Sequence, residues 1–393
     1  MSYLEKLLDG VTVEWKPLGE FADYEQPTKY LVDSNNYNDN FETPVLTAGK
    51  TFILGYTNET EGIYKASKNP VIIFDDFTTA NKWVDFDFKA KSSAMKMITS
   101  KDESKASLKY IYYWMNTLPS ELVDGDHKRQ WISNYANKLI PIPCPNNPKK
   151  SLEIQQKIVA ILDSFTELTA ELTAELTAEL TARQKQYQFY REHLLNFEER
   201  EVKWKSLGEI TEYSKDRIRF DKLDKNNYVG VDNLIQNRQG KTISTHLPKS
   251  GNSTKYNIND ILIGNIRPYL KKIWLADIFG GTNGDVLVIH PTDKNVDPRF
   301  LYQILADDSF FEYNMQNAKG AKMPRGNKSK IMEYKIPIPS IEEQERIVSI
   351  LDKFDILTNS ISEGLPKEIE LRKKQYEYYR DLLLTFPQDN LKI

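Results

Sequence analysis

The strongest constraint on this chain is that much of it is written twice. Trp15-Lys16-Pro17-Leu18-Gly19-Glu20 returns 189 positions later as Trp204-Lys205-Ser206-Leu207-Gly208-Glu209. At the same offset Ile158, Ile161, Phe165, Leu168, Leu172, Leu176, Leu180, Arg183, Tyr187, Tyr190, Leu194 and Phe197 match Ile347, Ile350, Phe354, Leu357, Ile361, Leu365, Ile369, Arg372, Tyr376, Tyr379, Leu383 and Phe386. In eleven of these twelve pairs both residues are apolar. Steps of three and four residues put them on one stripe of a helix. Each half therefore carries a long helix with one apolar face, and two such faces in one chain can bury each other. Two similar surfaces held apart by helices suit a target that is itself double and linear, and double-stranded DNA is the first candidate.

A length of 393 residues exceeds one ordinary core and suits two domains with connectors. Hydrophobic residues at 40%, with 11% aromatic, describe a folded protein rather than a disordered one. The single cysteine, Cys144, excludes an internal disulfide and has no neighbouring Cys or His for a metal site. Met1 to Gly10 lacks the apolar stretch of a signal peptide and no run approaches a membrane span, so a cytoplasmic location is expected. The net charge of -3 argues mildly against DNA binding as an average, but its distribution matters more. Lys319, Lys322, Arg325, Lys328 and Lys330 fall in a stretch without an acid, and Arg267, Lys271 and Lys272 form a second cluster, while much of the acidity lies in helices, as at Glu171, Glu175 and Glu179.

Each half reads as a mixed globular segment, then Ile-Pro-Ile-Pro, then a long helix. The tetrapeptides are Ile140–Pro143 and Ile336–Pro339. Alternating prolines lack donors and forbid helix, so each is expected to be an extended exit strand. Extra residues around Cys144 to Lys150 put the tetrapeptides 196 apart and read as loop. Ser340-Ile341-Glu342-Glu343 has the form of a capping box, and Ser151 is expected to cap the first helix more weakly. Gly364 and Pro366 are expected to kink or break the second helix. Val71–Phe74 and Ile261–Gly264 read as buried strands, Lys109–Met115 and Phe300–Leu305 as helices, and Gly280–Gly284 as a hairpin or loop.

Thr169 to Leu180 is Thr-Ala-Glu-Leu three times over, with Thr169, Leu172, Leu176 and Leu180 recurring along the first helix. A low-complexity helix explains the composition but not the verbatim repetition. One four-residue unit lengthens a helix by about 6 Å and turns it by about 40°, and one base pair adds about 3.4 Å and about 35°. If the helix separates two DNA readers, one unit moves a reader by one base pair with its angle roughly kept.

Chemistry-bearing motifs are sparse. When the tetrapeptides are superposed, Gly125–Trp131 lies opposite Ala321–Asn327 and Arg129 coincides with Arg325. Arginine reads guanine bidentately in the major groove, whereas lysine and backbone amides hold phosphates; an exposed turn before an edge strand is the plainer reading of both segments. Asp75 with Asp87-Phe88-Lys89 imitates the carboxylates and lysine of a magnesium nuclease, without an equivalent in the second half. There is no phosphate loop for nucleotide hydrolysis, and His127, His193, His246 and His290 have no metal spacing.

The half-repeat, the paired Ile-Pro-Ile-Pro exits, the helix endings Arg183-Gln184-Lys185-Gln186-Tyr187 and Arg372-Lys373-Lys374-Gln375-Tyr376, and the Thr-Ala-Glu-Leu units together resemble the DNA specificity subunit of type I restriction-modification enzymes, in particular the type IC subfamily. The resemblance covers essentially the whole chain. It implies an α+β fold with an internal pseudo-twofold repeat: two globular α/β target-recognition domains separated by two long helices that pack as an antiparallel coiled coil. The segments are then 1–14 at the N-terminus, 15–150 and 201–340 as recognition domains, 151–200 as the central helix and 341–393 as the C-terminal helix. It implies a non-catalytic subunit without a cofactor of its own, each domain reading half of a split DNA sequence. The implied partners are two modification subunits using S-adenosylmethionine and restriction subunits using ATP and magnesium. Members with more Thr-Ala-Glu-Leu copies take a longer spacer.

Carried onto this sequence, the recognition loops fall at His127, Lys128, Arg129 and Trp131, and at Lys322, Arg325 and Asn327, with Lys82, Arg267 and Lys271 flanking them. Trp15 and Trp204 suit either a repeated docking surface or buried anchors. The competing readings are a stand-alone magnesium-dependent DNA endonuclease built on Asp75, Asp87 and Lys89, and a structural coiled coil without DNA affinity. Deleting one Thr-Ala-Glu-Leu unit is expected to shorten the preferred spacer between half-sites by one base pair, as read by methylation of targets with graded spacers; an unchanged preference would disprove the spacer role.

Overall fold

A computed structural model describes residues 3–8, 10–49, 51–119, 129–359 and 363–387. It comprises two compact units, residues 1–174 with 370–393, and residues 175–369.

In the first unit the strand Val13–Pro17 pairs antiparallel with Leu139–Pro143, placing Trp15 opposite Pro141. The prolines are accommodated because this is a two-stranded ribbon with unpaired outer edges. The main sheet is antiparallel with strand order Ala22–Glu25, Met95–Ser100, Val71–Asp75, Asn81–Val84. Val71–Asp75 is buried throughout because it is covered on both faces. Ile72 and Phe74 face a core with Tyr110, Ile111 and Tyr135, while Val71 and Ile73 face a second core with Phe88, Met95 and Met97. That alternation is the period of two expected of a strand. A smaller sheet of Ile53–Thr57, Thr43–Leu46 and Lys89–Ala90 contributes Leu46 and Ala90 to the second core, beside Phe88.

The second unit repeats the plan. Lys203–Ser206 pairs with Lys335–Ile338, with Trp204 opposite Pro337. Its main sheet has the matching order Thr211–Tyr213, Val286–Pro291, Ile261–Gly264, Ile273–Leu275. Ile261 and Ile263 face one core, and Leu262 faces another with Tyr256, Trp274 and Val288. Gly280–Gly284 departs from expectation: Gly280–Thr282 is an interior strand of the sheet Arg217–Arg219, Asn252–Tyr256, Gly280–Thr282, Tyr228–Val229. Glycine is needed there because a Cβ at Gly280 would collide with the Asn227 carbonyl oxygen.

The central helix, Pro148–Leu195, runs unbroken for 48 residues, about 72 Å. It starts before Ser151. Asn147 accepts the Lys150 amide at 3.1 Å and caps it, while Ser151 lies buried inside the first turn with its hydroxyl accepting from Gln155 at 3.1 Å. Thr169, Leu172, Leu176 and Leu180 are all half-buried along this helix. The second apolar stripe is carried by two helices, Ile341–Asn359 and Gly364–Leu383. Gly364 has φ 74°, and a Cβ there would collide with the Ile356 and Leu357 carbonyl oxygens. Pro366 is tolerated because it falls in the first turn. At Ser340 half of the expected box forms: its hydroxyl accepts the Glu343 amide at 3.3 Å, but the Glu343 carboxylate turns to Arg346 at 2.7 Å.

The repeated aromatics pair crosswise. Phe165 packs on Tyr379 in the first unit, and Tyr190 packs on Phe354 in the second, at ring separations of 5.9 and 5.4 Å. Each phenylalanine thus meets the tyrosine of the other copy.

A buried glutamine seats each globular segment on its helix. The Gln155 carbonyl accepts the Ser107 amide at 3.0 Å and its NH2 donates to the Lys105 carbonyl at 2.9 Å. Gln344, 189 positions on, does the same to the Asp297 amide and the Asn295 carbonyl, both at 2.9 Å. Both side chains are fully buried. Gln155→Leu or Gln344→Leu is expected to destabilise its own unit by about 1–3 kcal/mol for each backbone group left unpaired, which denaturant unfolding with a probe in each unit would measure; loss below about 0.5 kcal/mol would show that water replaces the amide.

Candidate nucleic-acid interface

In both units the segment preceding the exit strand hangs from the residue that follows the central buried strand. Asp76 follows Val71–Asp75, and its carbonyl accepts the Gln130 amide at 2.9 Å. Asn265 follows Ile261–Gly264, and its carbonyl accepts the Gly326 amide at 3.1 Å. Asp76 and Asn265 are 189 apart, and Gln130 and Gly326 are 196 apart, the two offsets of the internal repeat. Arg129 and Arg325, one residue before each anchored amide, therefore occupy equivalent backbone positions, and both are exposed.

The two anchors are built differently. Asp76 also accepts the Trp131 amide through Oδ1 at 2.9 Å, and its carboxylate lies 3.6 Å from the buried Lys96 ammonium. Burial pushes the Lys96 pKa down; the Asp76 carboxylate opposes that shift and the Arg129 charge adds to it. Lys96 also sits 4.7 Å above the Tyr24 ring. Trp131, expected at the surface, is only 2% exposed and packs edge-on against Phe74 at 5.5 Å. Its amide bond to Asp76 and the apolar area of the indole both favour the core, so it anchors the segment rather than contacting a ligand. His127 and Lys128 lie outside the described residues. Lys82 is exposed on the edge strand Asn81–Val84, with its ammonium 4.9 Å from the Phe52 ring centre.

In the second unit Lys319 and Arg325 exchange backbone hydrogen bonds of 2.9 and 2.8 Å around Gly320, whose φ is 95°. Arg267, itself at φ 53°, donates its amide to Pro324 at 2.7 Å. The Arg325 guanidinium meets Asp285 Oδ1 at 2.6 Å, and the Asp285 carbonyl accepts the Asn265 amide at 2.8 Å. The side chains of Arg267, Lys319, Lys322 and Lys328 are exposed and make no hydrogen bond or ion pair among the described residues.

Two expected contacts are otherwise engaged. Lys271 is half-buried, with its ammonium 2.7 Å from Asp308, which Arg238 also pairs. Desolvation and the Arg238 charge lower its pKa, so Lys271 belongs to a structural ion cluster rather than the open face. Asn327 caps the helix Lys328–Glu333, accepting the Lys330 amide at 3.4 Å.

The nuclease constellation does not assemble. Asp75 closes its own turn, accepting from the Phe77 amide at 2.9 Å and the Thr78 hydroxyl at 2.7 Å. Asp87 is held by Ser67 at 2.6 Å and Lys65 at 3.0 Å. Lys89 is buried against Glu59 and donates to the Glu61 carbonyl at 2.9 Å. Among the described residues no cluster of His, Cys, Asp or Glu has metal-binding geometry. The repeated tryptophans also differ. Trp15 is half-buried, packs edge-on against Trp114 at 5.3 Å and donates to Pro387 at 3.0 Å. Trp204 is 47% exposed beside Ile304, Tyr334 and Pro337.

The sequence profile described as "Type I restriction modification DNA specificity domain" matches this chain twice, over residues 11–182 and 199–371. The chain belongs to this family. It is 54% identical over 400 residues to the type I restriction enzyme EcoR124I/EcoR124II specificity subunit of Escherichia coli, covering 99% of this chain and 98% of that protein. It is 33% identical over 412 residues to a putative type I restriction enzyme specificity subunit of Haemophilus influenzae, covering 98% of each. The fold is shared with the type I S subunit from M. genitalium, at 16% identity and a TM-score of 0.54 over 98% of this chain and 99% of that one. A second solved chain, reported under "Structural basis underlying complex assembly and conformational transition of the type I R-M system", gives a TM-score of 0.59 at 16% identity over 95% and 97% of the two chains. The chain is a type I specificity subunit, a non-catalytic recognition component with an α+β fold.

Sequence reading missed the residues that hold the arginines in place: Asp76, Asn265 and Asp285. The first two carried a signal, since both follow apolar runs at the repeat offset. Asp76→Ala is expected to destabilise the first unit by about 3–5 kcal/mol, because it strands a buried ammonium as well as an amide; thermal melting would check it, and a Tm within 2 °C of the parent would show that Lys96 finds another partner.

Proposed function

We propose that residues 15–150 and 201–340 are the target-recognition domains and that Arg129 and Arg325 lead the DNA-facing segments, each domain reading one half of a split target. The observation that carries this reading is the repeated anchor: a carbonyl just past the central strand holds the residue after each exposed arginine. Arg267, Lys319, Lys322 and Lys328 are phosphate contacts, being exposed cations without a side-chain partner among the described residues. Arg129 and Lys82 serve the first half-site; His127 and Lys128, which precede Arg129 in sequence, are proposed to join them.

The central helix sets the spacer through its Thr-Ala-Glu-Leu units, and those units support a type IC assignment. Two modification subunits dock on the helices and the adjoining framework, bringing S-adenosylmethionine, and restriction subunits bring ATP and magnesium. No helix among the described residues is long and apolar enough to cross a membrane; the cytoplasm, where DNA is accessible, is the proposed location.

The test is adenine-methylation mapping of genomic DNA from cells that express this chain with its cognate modification subunit, against cells lacking it. A new split motif with one methylated adenine per half is expected. Absence of any new motif, with both proteins soluble and associated, would refute the reading. Lys319→Gln with Lys322→Gln is expected to weaken binding to specific and random duplexes alike and to reduce the steepness of its salt dependence, because phosphate contacts release counterions.

A further inference from the structure

The DNA-facing loop of the second unit contains one feature that a phosphate-binding surface would avoid, a carboxylate. Asp285 lies in the turn before Val286–Pro291, partly exposed, and its Oδ1 takes the Nη1 of Arg325 at 2.6 Å. Four other cations of this face, Arg267, Lys319, Lys322 and Lys328, have no such partner among the described residues. An acid beside DNA repels phosphate, so its presence lowers general affinity. What it supplies is orientation. The main chain of Arg325 is held by Lys319, the next amide by Asn265, and the Asn265 amide by the Asp285 carbonyl, which closes a ring of contacts around the arginine. Gly326 completes the seat, since a Cβ there would come within 2.5 Å of Asn314 Oδ1 and 2.7 Å of Asn265 Oδ1. With one nitrogen committed to Asp285, the guanidinium keeps further N–H groups in a fixed plane. Guanine offers two acceptors, N7 and O6, at the spacing of that fork.

We propose that Asp285 is a positioning residue that aims Arg325 at a guanine in the half-site read by the second unit. At the equivalent backbone position the first unit carries an alanine: strand pairing sets Asp75 opposite Met95 and the equivalent Gly264 opposite Val286, so the position of Asp285 is filled by Ala94. The Arg129 charge acts on the buried Lys96 ammonium. Two arginines at equivalent backbone positions are thus presented differently, and the two half-sites are read by different chemistry.

This inference rests on the DNA-facing reading of the Lys319–Gly326 loop, and its test keeps the two apart. Once the split motif is mapped, the full complex with its modification subunit is titrated with duplexes in which each guanine of the second half-site, on either strand, is replaced in turn by 7-deazaguanine, which lacks the N7 acceptor. The parent complex should lose about tenfold or more at one position. Asp285→Asn, which keeps the shape and removes the charge, should abolish that discrimination, leave the first half-site untouched and bind random duplex as tightly as the parent or tighter. Arg325→Lys, which retains the charge without the fork, should give the same base-specific loss. The proposal is overturned if the second half-site contains no guanine, if no 7-deazaguanine position matters, or if Asp285→Asn weakens specific and random DNA equally or loosens both half-sites together. Absence of any split motif would instead overturn the underlying DNA-facing reading.

Discussion

Each unit depends on the burial of one helical stripe in its core. Ile154, Ile158 and Leu162 share the core of the first unit with Ile72 and Phe74 of the sheet and Tyr110 and Ile111 of the domain helix, and Ile347, Val348 and Leu351 share that of the second with Ile261, Ile263, Phe300 and Leu301, each fully or nearly buried. A side chain of this kind contributes about 1.5–3 kcal/mol when removed from water, so the stripe holds the globular segment firmly but without direction, because apolar contact alone does not set register. The buried glutamines supply the direction. Gln155 and Gln344 each satisfy one amide and one carbonyl at the turn before the domain helix, Leu108–Met115 or Pro298–Leu305, and only one seating makes both bonds.

That seating propagates to the segments that carry Arg129 and Arg325 through stiff elements. The central strand of each main sheet is packed on both faces, so the residue at its end, Asp76 or Asn265, is fixed relative to the core. A single backbone hydrogen bond from that residue then holds the amide next to an exposed arginine. The scaffold is the same in both units and the charged side chains around it are not. Lys96 with Asp76 lies buried behind one arginine, whereas Asp285 stands beside the other. A duplicated frame with diverged polar groups gives two similar scaffolds with different chemistry around equivalent arginines.

Much of this was legible in the sequence. The offset of 189 placed the helices and the central strands, because repetition at fixed spacing and apolar periodicity are local signals; that Trp15 and Trp204 lie on strands was not read. The exits were read from Ile-Pro-Ile-Pro, since proline's missing donor excludes helix and a sheet interior. Gly364 was read correctly as a break for a similar reason. Less was legible in the site. Trp131 and Asn327 sit in polar segments that looked exposed, yet one is core and the other a helix cap. Lys271 looked like one more surface cation until Asp308, 37 positions away, was seen to neutralise it. The glycines at Gly280 and Gly281 looked like a turn and proved to be an interior strand, because the requirement they meet is lack of space rather than positive φ.

The sequence alone determined the duplicated plan, the long helices and the pair of arginines in matching positions. These follow from the internal repeat, from local periodicity and from proline and glycine stereochemistry, which act over a few residues. Only the tertiary structure decided which polar side chains face outward and which are already committed. Asp285 meets Arg325 across 40 positions, and Asp76 meets Trp131 across 55. Such pairings depend on strand register and on how much room the core leaves, and neither is written in any one stretch of sequence.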